Sequence, residues 1–169
     1  SATGSGGENN HWLRFYINQG QTSGTAQILA TEMNGNGHVL TPNQPMCSVS
    51  YTGGDKNSAG AILFNQVLVN NGNNYNATNG RFTCPVAGFY KMDTSLLSTS
   101  GNIIGASLCK NGNAIYKIEN TNPGSNYRQI SGTGIFQCAY GDFLTIEWKN
   151  GTIYGGGGNY TSMNVMLVG

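Results

Sequence analysis

Cysteine is the residue of this 169-residue chain best suited to nucleophilic or metal chemistry. Cys47, Cys84, Cys109 and Cys138 each lie in an apolar, strand-like run, where a free thiol behaves as a small hydrophobic group. Their even number permits a disulfide framework, although a chain of this length can bury a core without one. A zinc site is not predicted, because no two cysteines have C-x-x-C spacing and both histidines precede all four. We therefore expect buried free thiols.

The carboxylates offer one pair to consider for catalysis. Glycoside hydrolysis needs two carboxylates a few ångströms apart, and Asp93 and Glu147 are the pair to weigh. Strand alternation instead places them beside Lys91 and Lys149, on faces that meet solvent or a partner. No histidine follows residue 38, so no Ser-His-Asp or Cys-His set is expected in the rest of the chain. We predict no catalytic residue and no cofactor, with polysaccharide cleavage as the outside alternative.

A metal site is not predicted from the aspartates either. Asp142, in the run "GDF", is expected to accept hydrogen bonds from backbone amides at a corner. A calcium site normally gathers several oxygens on one loop, whereas Asp55, Asp93 and Asp142 are widely separated.

Two loops combine aromatic residues with amides and are the best candidates for recognition. They are residues 120–128, "NTNPGSNYR", and residues 151–160, "GTIYGGGGNY". Tyrosine offers a flat face with a hydroxyl, and asparagine offers a donor and an acceptor, which suits a sugar or an uncharged protein surface. The alternative is that both loops are simply solvated turns. The receptor-binding candidates are Asn120, Asn122, Asn126, Tyr127, Arg128, Tyr154, Asn159 and Tyr160.

The low charge of the chain excludes several partners. Charged residues make up 9% of the sequence, against an average of about 25%, and the net charge is +1. Without a basic patch there is no electrostatic footprint for nucleic acid or an anionic membrane. No apolar stretch approaches the roughly 20 residues of a membrane-spanning helix, so membrane insertion is not expected.

The hydrophobic pattern is that of strands rather than helices. Apolar residues alternate with polar ones over residues 90–96 and 144–149, which predicts half-buried strands. Residues 61–69 and 163–168 are apolar at nearly every position, which predicts strands covered on both faces. Asn- and Gly-rich turns separate nine or ten such runs, so an all-β sandwich or barrel is expected.

A change in composition at "TPNQP", residues 41–45, predicts two regions. Residues 1–44 contain two strand candidates, "WLRFYI" and "TAQILATEM", and are interpreted as a stalk or neck segment with a β-hairpin. A lone hairpin is marginally stable, so it must contact the main domain, other copies or upstream sequence. Residues 45–169 are interpreted as a globular head.

The spacing of large residues in the head resembles a known signature. Successive gaps of five, four, six, five and one residues separate its six members, which are Phe64, Asn70, Tyr75, Phe82, Gly88 and Tyr90. This pattern, with "LCKNGNAI", "CAYGDFLTIEW" and "SMNVMLVG" downstream, resembles the globular head of complement component 1q, which shares its fold with the tumour necrosis factor family. Met92 and Thr94 depart from the usual aromatic pattern. The resemblance implies a ten-stranded antiparallel jelly-roll sandwich that forms a threefold homotrimer.

The N-terminal part is similar to segments that precede such heads in bacteriophage tail and neck fibres. Collagen repeats and a secretory signal, usual before animal heads, are not seen. The likeness implies a non-enzymatic fibre head on the virion, with a host cell-surface glycan or protein and other fibre or tail proteins as partners. In such a trimer His11 and His38 are expected to be polar stalk residues, with a metal-binding ring of three copies as the alternative. Two other functions remain open: a secreted lectin-like or ligand-binding head of a cellular organism, and a purely structural trimerisation cap.

Overall fold

The structure of the protein is a computed structural model. It describes residues 13–18, 27–34, 36–99, 101, 103–122 and 125–169. The chain divides into two compact units, residues 1–44 and 45–169.

The first unit is a small antiparallel sheet. Its strands, in sheet order, are β1 (Leu13–Asn18), β2 (Gln27–Met33) and β3 (Val39–Leu40). The two strand candidates of this region overlap β1 and β2, whereas β3 was not predicted. Arg14 and Glu32 lie opposite each other in the sheet and form an ion pair of 3.0 Å.

Of the two histidines in this unit, the structure describes only His38, and His38 belongs to no candidate metal-binding group among the described residues. His38 follows a turn in which the Asn34 carboxamide oxygen accepts its backbone N–H at 2.9 Å. His11 lies outside the described residues. In the described parts of the chain, no three His, Cys, Asp or Glu side chains come close enough to hold a metal ion.

The second unit consists of strands and connecting loops, with no helix among its described residues. The all-β prediction is therefore confirmed. The strands are β4 (Met46–Ser50), β5 (Gly60–Ala61), β6 (Gln66–Asn71), β7 (Tyr75–Asn76), β8 (Arg81–Thr83), β9 (Gly88–Ser98), β10 (Ile104–Lys110), β11 (Asn113–Asn120), β12 (Arg128–Cys138), β13 (Phe143–Gly151) and β14 (Ser162–Leu167).

These strands form two sheets around one core. The five-stranded sheet has the order β12-β9-β14-β4-β6, and the other has the order β11-β10-β13-β8-β7, with β5 also paired to β13. Every pairing is antiparallel. In β9 every second residue from Tyr90 to Ser98 is buried, and in β13 Leu144, Ile146 and Trp148 are buried. Side chains of a strand alternate between faces, so one face of each sheet supplies the core.

Residues 61–69 were expected to form one strand, and this expectation was wrong. Residues 60–61 pair with β13 in one sheet, while residues 66–71 pair with β4 in the other. Between them Ile62 and Phe64 are fully buried, and Asn65 accepts the backbone N–H of Thr52 at 2.8 Å. The buried residues Ile62 and Phe64 lie in the crossing between the sheets, whereas Val67, Leu68 and Val69 are exposed on β6. The described head therefore has eleven strand segments rather than ten.

Residues 163–168 do carry apolar side chains on both faces. Met163 and Val165 are buried in the core, whereas Met166 and Val168 are exposed on the other side. The outward face of the five-stranded sheet is thus partly apolar.

The aromatic signature residues all lie in the core. Phe64, Phe82 and Tyr90 are fully buried and Tyr75 is nearly so. The rings of Phe82 and Tyr90 contact each other, with centroids 5.9 Å apart. Tyr75 also donates its hydroxyl to the Phe64 carbonyl at 3.0 Å, so its buried polar atom is satisfied.

The other two signature residues, Asn70 and Gly88, shape the path of the main chain. The Asn70 carboxamide donates to the Tyr75 carbonyl and accepts the Tyr75 N–H, both at 2.9 Å, which closes the turn between β6 and β7. At Gly88 a Cβ would lie 2.6 Å from the carbonyl oxygen of Gly169 and 2.8 Å from the Leu167 side chain. This glycine therefore permits close approach of residues 167–169 to the start of β9.

Candidate functional site

Three tyrosines from two loops meet at one end of the head. Tyr127 precedes β12, and Tyr154 and Tyr160 lie between β13 and β14. The rings of Tyr127 and Tyr154 are 5.2 Å apart in an edge-to-face arrangement, and those of Tyr154 and Tyr160 are 6.3 Å apart. Together with Leu97 and Gln129 they line an open cavity of about 410 Å³. We call this site the tyrosine cleft.

Strand β9 positions the backbone of Tyr154, the central residue of the cleft. The backbone N–H of Tyr154 donates to the Leu97 carbonyl at 2.8 Å, and its carbonyl accepts the Thr161 hydroxyl at 3.4 Å. The preceding residue, Ile153, is fully buried and exchanges two backbone hydrogen bonds with Lys56. These bonds hold the backbone of Tyr154 in place, and its ring contacts the rings of Tyr127 and Tyr160.

Three of the four glycines after Tyr154 have close neighbours, whereas Gly157 has open space around it. Gly155 is buried, and its N–H donates to the Asp55 carboxylate at 3.0 Å. A Cβ at Gly155 would collide with the Gly54 carbonyl, and one at Gly156 would collide with the Tyr154 hydroxyl. Glycine is therefore needed at positions 155 and 156 for close packing.

The predicted asparagines do not join the tyrosines in lining the cleft. The carboxamide oxygen of Asn120 accepts the Asn122 N–H at 3.0 Å, which closes a local turn. Asn159 has a positive φ of 58° and accepts the Ser50 hydroxyl at 2.8 Å. Asn126 is exposed. Two of the four asparagine side chains are therefore engaged in shaping the loops.

Arg128 lies at the start of β12, facing the interior. Its backbone N–H donates to the Ser98 hydroxyl, and its carbonyl accepts that hydroxyl, both at 3.2 Å. Its guanidinium is not among the groups that line the tyrosine cleft. The lining is accordingly uncharged.

Sequence reasoning missed two residues of the cleft, Leu97 and Gln129. They are directly paired across β9 and β12, and both point outward from the five-stranded sheet. Finding them requires the register of two strands, which no local signal in the sequence supplies.

The outward face of the five-stranded sheet changes character along its length. At the end opposite the cleft, Ile135 and Met166 flank Lys91, and Phe89 lies beside Val168. Ile135 is 59% exposed and Phe89 47%. We call the surface formed by Phe89, Ile135, Met166 and Val168 the apolar end.

A polar row separates the apolar end from the cleft. Asp93 lies between Thr133 and Asn164 on the neighbouring strands. Its carboxylate accepts the Thr133 hydroxyl at 2.5 Å and pairs with the Lys91 ammonium at 3.2 Å. These contacts pair Asp93 with Thr133 and Lys91 within one chain.

The two carboxylates considered for glycoside hydrolysis belong to different sheets. Asp93 lies on β9, whereas Glu147 lies on β13 and pairs with Lys149 at 2.6 Å. Both alternate with buried residues and so point away from the core on opposite sides of the sandwich. They do not form a catalytic pair.

Asp142 bonds local groups at the corner between β12 and β13. Its carboxylate accepts the Asn111 carboxamide and the Ala139 N–H, each at 2.8 Å, and pairs with the Lys110 ammonium at 2.9 Å. The bonds from Asn111, Lys110 and Ala139 lower the pKa of Asp142 to about 2. The predicted corner role is confirmed.

The four cysteines are buried and free, which confirms the prediction of buried thiols. Burial raises the pKa of Cys47 to about 12 and that of Cys109 to about 11. Neither thiol is therefore ionised at neutral pH, and neither is suited to nucleophilic chemistry there.

Comparison with known proteins identifies the family of the head. A model of the C1q domain matches residues 47–165. The chain belongs to the C1q domain family. A curated relative from cattle (Bos taurus), Protein HP-25 homolog 2, is 32% identical over 90 residues, which are 52% of this chain and 40% of that protein. This chain thus spans about 40% of the length of that relative.

Solved structures share the fold at low identity. The globular domain of zebrafish complement 1qA protein has a TM-score of 0.61 at 18% identity, over 75% of this chain and 98% of that one. Murine APRIL at pH 5.0 has a TM-score of 0.61 at 12% identity, over 74% and 99% of the two chains. Eiger TNF from S. frugiperda has a TM-score of 0.60 at 9% identity, over 75% and 94%. The predicted jelly-roll fold is confirmed.

C1q and TNF-like domains are generally binding or structural modules, and they typically form trimers. Members of the C1q family are typically extracellular. Among the described residues, no helix is long and apolar enough to cross a bilayer.

Proposed function

We propose that this chain is the non-enzymatic, homotrimeric recognition head of an extracellular C1q-domain protein, and that it binds a carbohydrate through the tyrosine cleft. The convergence of Tyr127, Tyr154 and Tyr160 on one uncharged cleft is the observation that carries the ligand-binding part of this proposal. Family membership over residues 47–165 supports the trimeric part.

The chemistry of the cleft favours a neutral sugar. Aromatic rings present flat apolar faces to the C–H groups of a sugar ring, while tyrosine hydroxyls and the Gln129 carboxamide provide hydrogen bonds to its hydroxyls. No charged side chain lines the cleft to select an ionic ligand. Its volume of about 410 Å³ falls in the range of about 300–1,000 Å³ that is typical of small-molecule sites.

The apolar end favours contact between copies of the head. Phe89, Ile135 and Met166 are exposed on one sheet face, which leaves apolar surface for a partner to cover. Symmetric packing of three copies through this end would leave the cleft, at the far end of the same face, open to a ligand.

The source organisms of the similar proteins help to decide between a cellular and a bacteriophage origin. Cattle, zebrafish, mouse and S. frugiperda are the sources of the similar proteins described above. They favour the head of a secreted cellular protein over the bacteriophage fibre head expected from the N-terminal segment. A virion location, a bacterial surface receptor and tail-protein partners find no support in these relatives.

A glycan array probed with the labelled protein tests the carbohydrate proposal, followed by titration calorimetry with the best sugar. Tyr127→Ala and Tyr154→Ala are expected to weaken binding about tenfold or more, because buried aromatic anchors carry a large share of binding energy. Tyr140→Ala is the matched control, since Tyr140 is 80% exposed at the opposite end of β12. Binding lost equally in all three variants would contradict the assignment of the site. Absence of any glycan ligand, with the trimer intact, would favour a protein ligand or a structural cap.

A further inference from the structure

Three asparagines of the second unit lie in the N-x-Thr pattern that N-linked glycosylation requires. They are Asn76, Asn150 and Asn159, each followed two residues later by threonine. All three are exposed, so exposure alone does not distinguish them. The bonds of each asparagine and the position of its threonine do.

Asn76 is the last residue of β7, which forms one edge of its sheet, and it begins a turn. Its carboxamide oxygen accepts the Thr78 backbone N–H at 2.9 Å and the Thr78 hydroxyl at 2.7 Å. A backbone N–H can only donate, so it is the oxygen of the carboxamide that faces the turn. The nitrogen, Nδ2, to which a sugar is attached, therefore lies on the side away from these two bonds.

A sugar on Asn76 is compatible with this turn. Glycosylation replaces one hydrogen of the carboxamide nitrogen and leaves the oxygen as an acceptor, so both bonds from Thr78 persist. Asn76 and Thr78 are both exposed, which leaves the attached sugar in solvent. The folded head can therefore carry a glycan at this position without rearrangement.

Asn150 presents a different environment. It lies within β13, directly opposite Gly105 of β10. Its carboxamide packs against Gly105, with the nitrogen 3.4 Å from the position that a Cβ there would occupy. A sugar on this nitrogen would have to displace the side chain from the surface of the sheet.

The third site has its threonine inside the fold. The carboxamide oxygen of Asn159 accepts the Ser50 hydroxyl at 2.8 Å. Thr161 is 1% exposed, and its hydroxyl accepts the Leu97 N–H at 3.3 Å and donates to the Tyr154 carbonyl at 3.4 Å. The hydroxyl of the recognition pattern is thus engaged with other strands and loops.

The three sites also differ in what must open for an enzyme to reach them. The Asn76 carbonyl accepts the N–H groups of Asn79 at 3.4 Å and Gly80 at 2.9 Å, so these bonds of the turn are local. Reaching Asn150 means detaching β13 from β10, and reaching Thr161 means breaking its bond to β9. Opening a surface turn needs less free energy than opening core strands. Asn76 therefore stays accessible longest as the chain folds.

We propose that Asn76 is the preferred acceptor of an N-linked glycan when the chain passes through a eukaryotic secretory pathway. The donor is a lipid-linked oligosaccharide diphosphate. A bond forms between Asn76 Nδ2 and the anomeric carbon of the first sugar, while the bond from that carbon to the diphosphate oxygen breaks. The lipid diphosphate leaves with the electron pair, and Nδ2 loses one proton to a base of the transferring enzyme. The inference rests on the extracellular, cellular origin proposed above.

The position of Asn76 keeps a glycan away from the sites proposed above. Strand β7 is an edge of the sheet that contains β13 and β10. The apolar end and the cleft residues Leu97 and Gln129 lie instead on the outward face of the five-stranded sheet. We therefore expect glycosylation at Asn76 to leave trimer assembly and sugar binding unchanged.

Site mapping by mass spectrometry tests the proposal. The full chain is expressed behind a secretory leader in cultured animal cells, and protein from cells and medium is pooled, so that retention hides no product. Peptide N-glycosidase in heavy-oxygen water converts each glycosylated asparagine to labelled aspartate, and trypsin then cuts the chain. Asn76 falls in the peptide of residues 57–81, while Asn150 and Asn159 fall in residues 150–169. We expect label at Asn76 in most molecules and at the other two in a minority.

Two controls separate glycosylation from spontaneous deamidation. A sample incubated in heavy-oxygen water without the glycosidase measures the background label. Fragment spectra assign the label to Asn76 rather than to Asn71 or Asn79 of the same peptide.

Variants of the turn test the recognition pattern. Thr78→Ala keeps Asn76 but removes the pattern, and it is expected to lose the label and to migrate faster on a denaturing gel. Thr78→Ser keeps the pattern and is expected to retain both the label and the mobility. Asn79→Gln is the matched control, because Asn79 is an exposed asparagine of the same turn outside the pattern. All three are read on denatured protein, so the result does not depend on how well a variant folds.

An unlabelled Asn76, or label at Asn150 or Asn159 to the same or a greater extent, would overturn the proposal. An unlabelled Asn76 in a trimer that binds sugar would leave the proposed function standing. A labelled Asn76 in a chain that neither forms trimers nor binds sugar would support this inference and count against the proposed function.

Discussion

The ring of Tyr127 meets the ring of Tyr154 edge to face, with 5.2 Å between their centroids, although the two residues come from different loops. Such aromatic pairs contribute roughly 0.5–1.5 kcal/mol beyond the area that they bury. The contact therefore joins two loops into one wall of the tyrosine cleft. Changes that move either ring are expected to alter the cleft without disturbing the core.

Gly156→Ala is expected to displace the Tyr154 ring, because a Cβ at this position collides with the Tyr154 hydroxyl. We expect sugar affinity to fall about tenfold and the near-ultraviolet circular dichroism of tyrosine to change. Gly157→Asn is the control in the same loop, since Gly157 has open space around it and a positive φ that asparagine tolerates. If Gly156→Ala leaves the spectrum and the affinity unchanged, the loop backbone moves to make room for the Cβ and the position of the Tyr154 ring does not depend on this glycine.

Ile135→Asp is expected to break the proposed trimer. It places a charge in the apolar end, where burial against another copy carries a penalty of several kcal/mol. Light scattering at micromolar concentration should show a mass falling from three times 17.9 kDa towards one. Ile115→Asp is the matched control, because Ile115 is 52% exposed against 59% for Ile135 but lies on the other sheet. Equal dissociation of both variants, or a wild-type monomer, would contradict the proposed interface.

Parts of this architecture follow from sequence and parts do not. Alternation in β9 and β13 predicts the half-buried strands because side chains of one strand face opposite ways. The run of residues 61–69 misled because its buried residues, Ile62 and Phe64, belong to a crossing between the sheets, while residues 67–69 are exposed on β6 rather than covered on both faces. Leu97 and Gln129 depend on the register of β9 against β12, and so does the meeting of the three tyrosines.

Asp142 is expected to make the fold sensitive to acid. Its pKa of about 2 in the folded state lies below the ordinary value of 3.8. Its ionised form therefore stabilises the fold fully above about pH 4, and this contribution is lost as pH falls from about 4 to 2. Urea midpoints measured across this range should fall less steeply in Asp142→Asn than in the wild type. Lys110→Ala, which removes the ion pair but keeps the bonds from Asn111 and Ala139, should have an intermediate slope, and three identical slopes would count against this account.

Thr145→Val is expected to increase stability by about 1 kcal/mol. Thr145 is buried, and its hydroxyl has no hydrogen-bond partner among the described residues. Replacing such a group with a methyl group of similar shape removes a desolvation penalty. Thr94→Val provides the contrast, because the buried Thr94 hydroxyl donates to the Ser162 carbonyl at 2.8 Å and its removal should destabilise the fold by about 1–2 kcal/mol. Thermal and urea unfolding of both variants measure the change in the free energy of unfolding. A change in the same direction for both variants would contradict this prediction.

The tyrosine cleft and the apolar end occupy opposite ends of one sheet face, separated by the polar row around Asp93. Three heads joined at their apolar ends would therefore display three clefts in the same direction. Linked sites of this kind gain avidity of about 10²–10⁴ over a single contact, provided that the geometry lets them engage together. We expect such a molecule to respond to how densely its ligand is displayed on a surface, and to hold a dense display far more tightly than the same sugar free in solution.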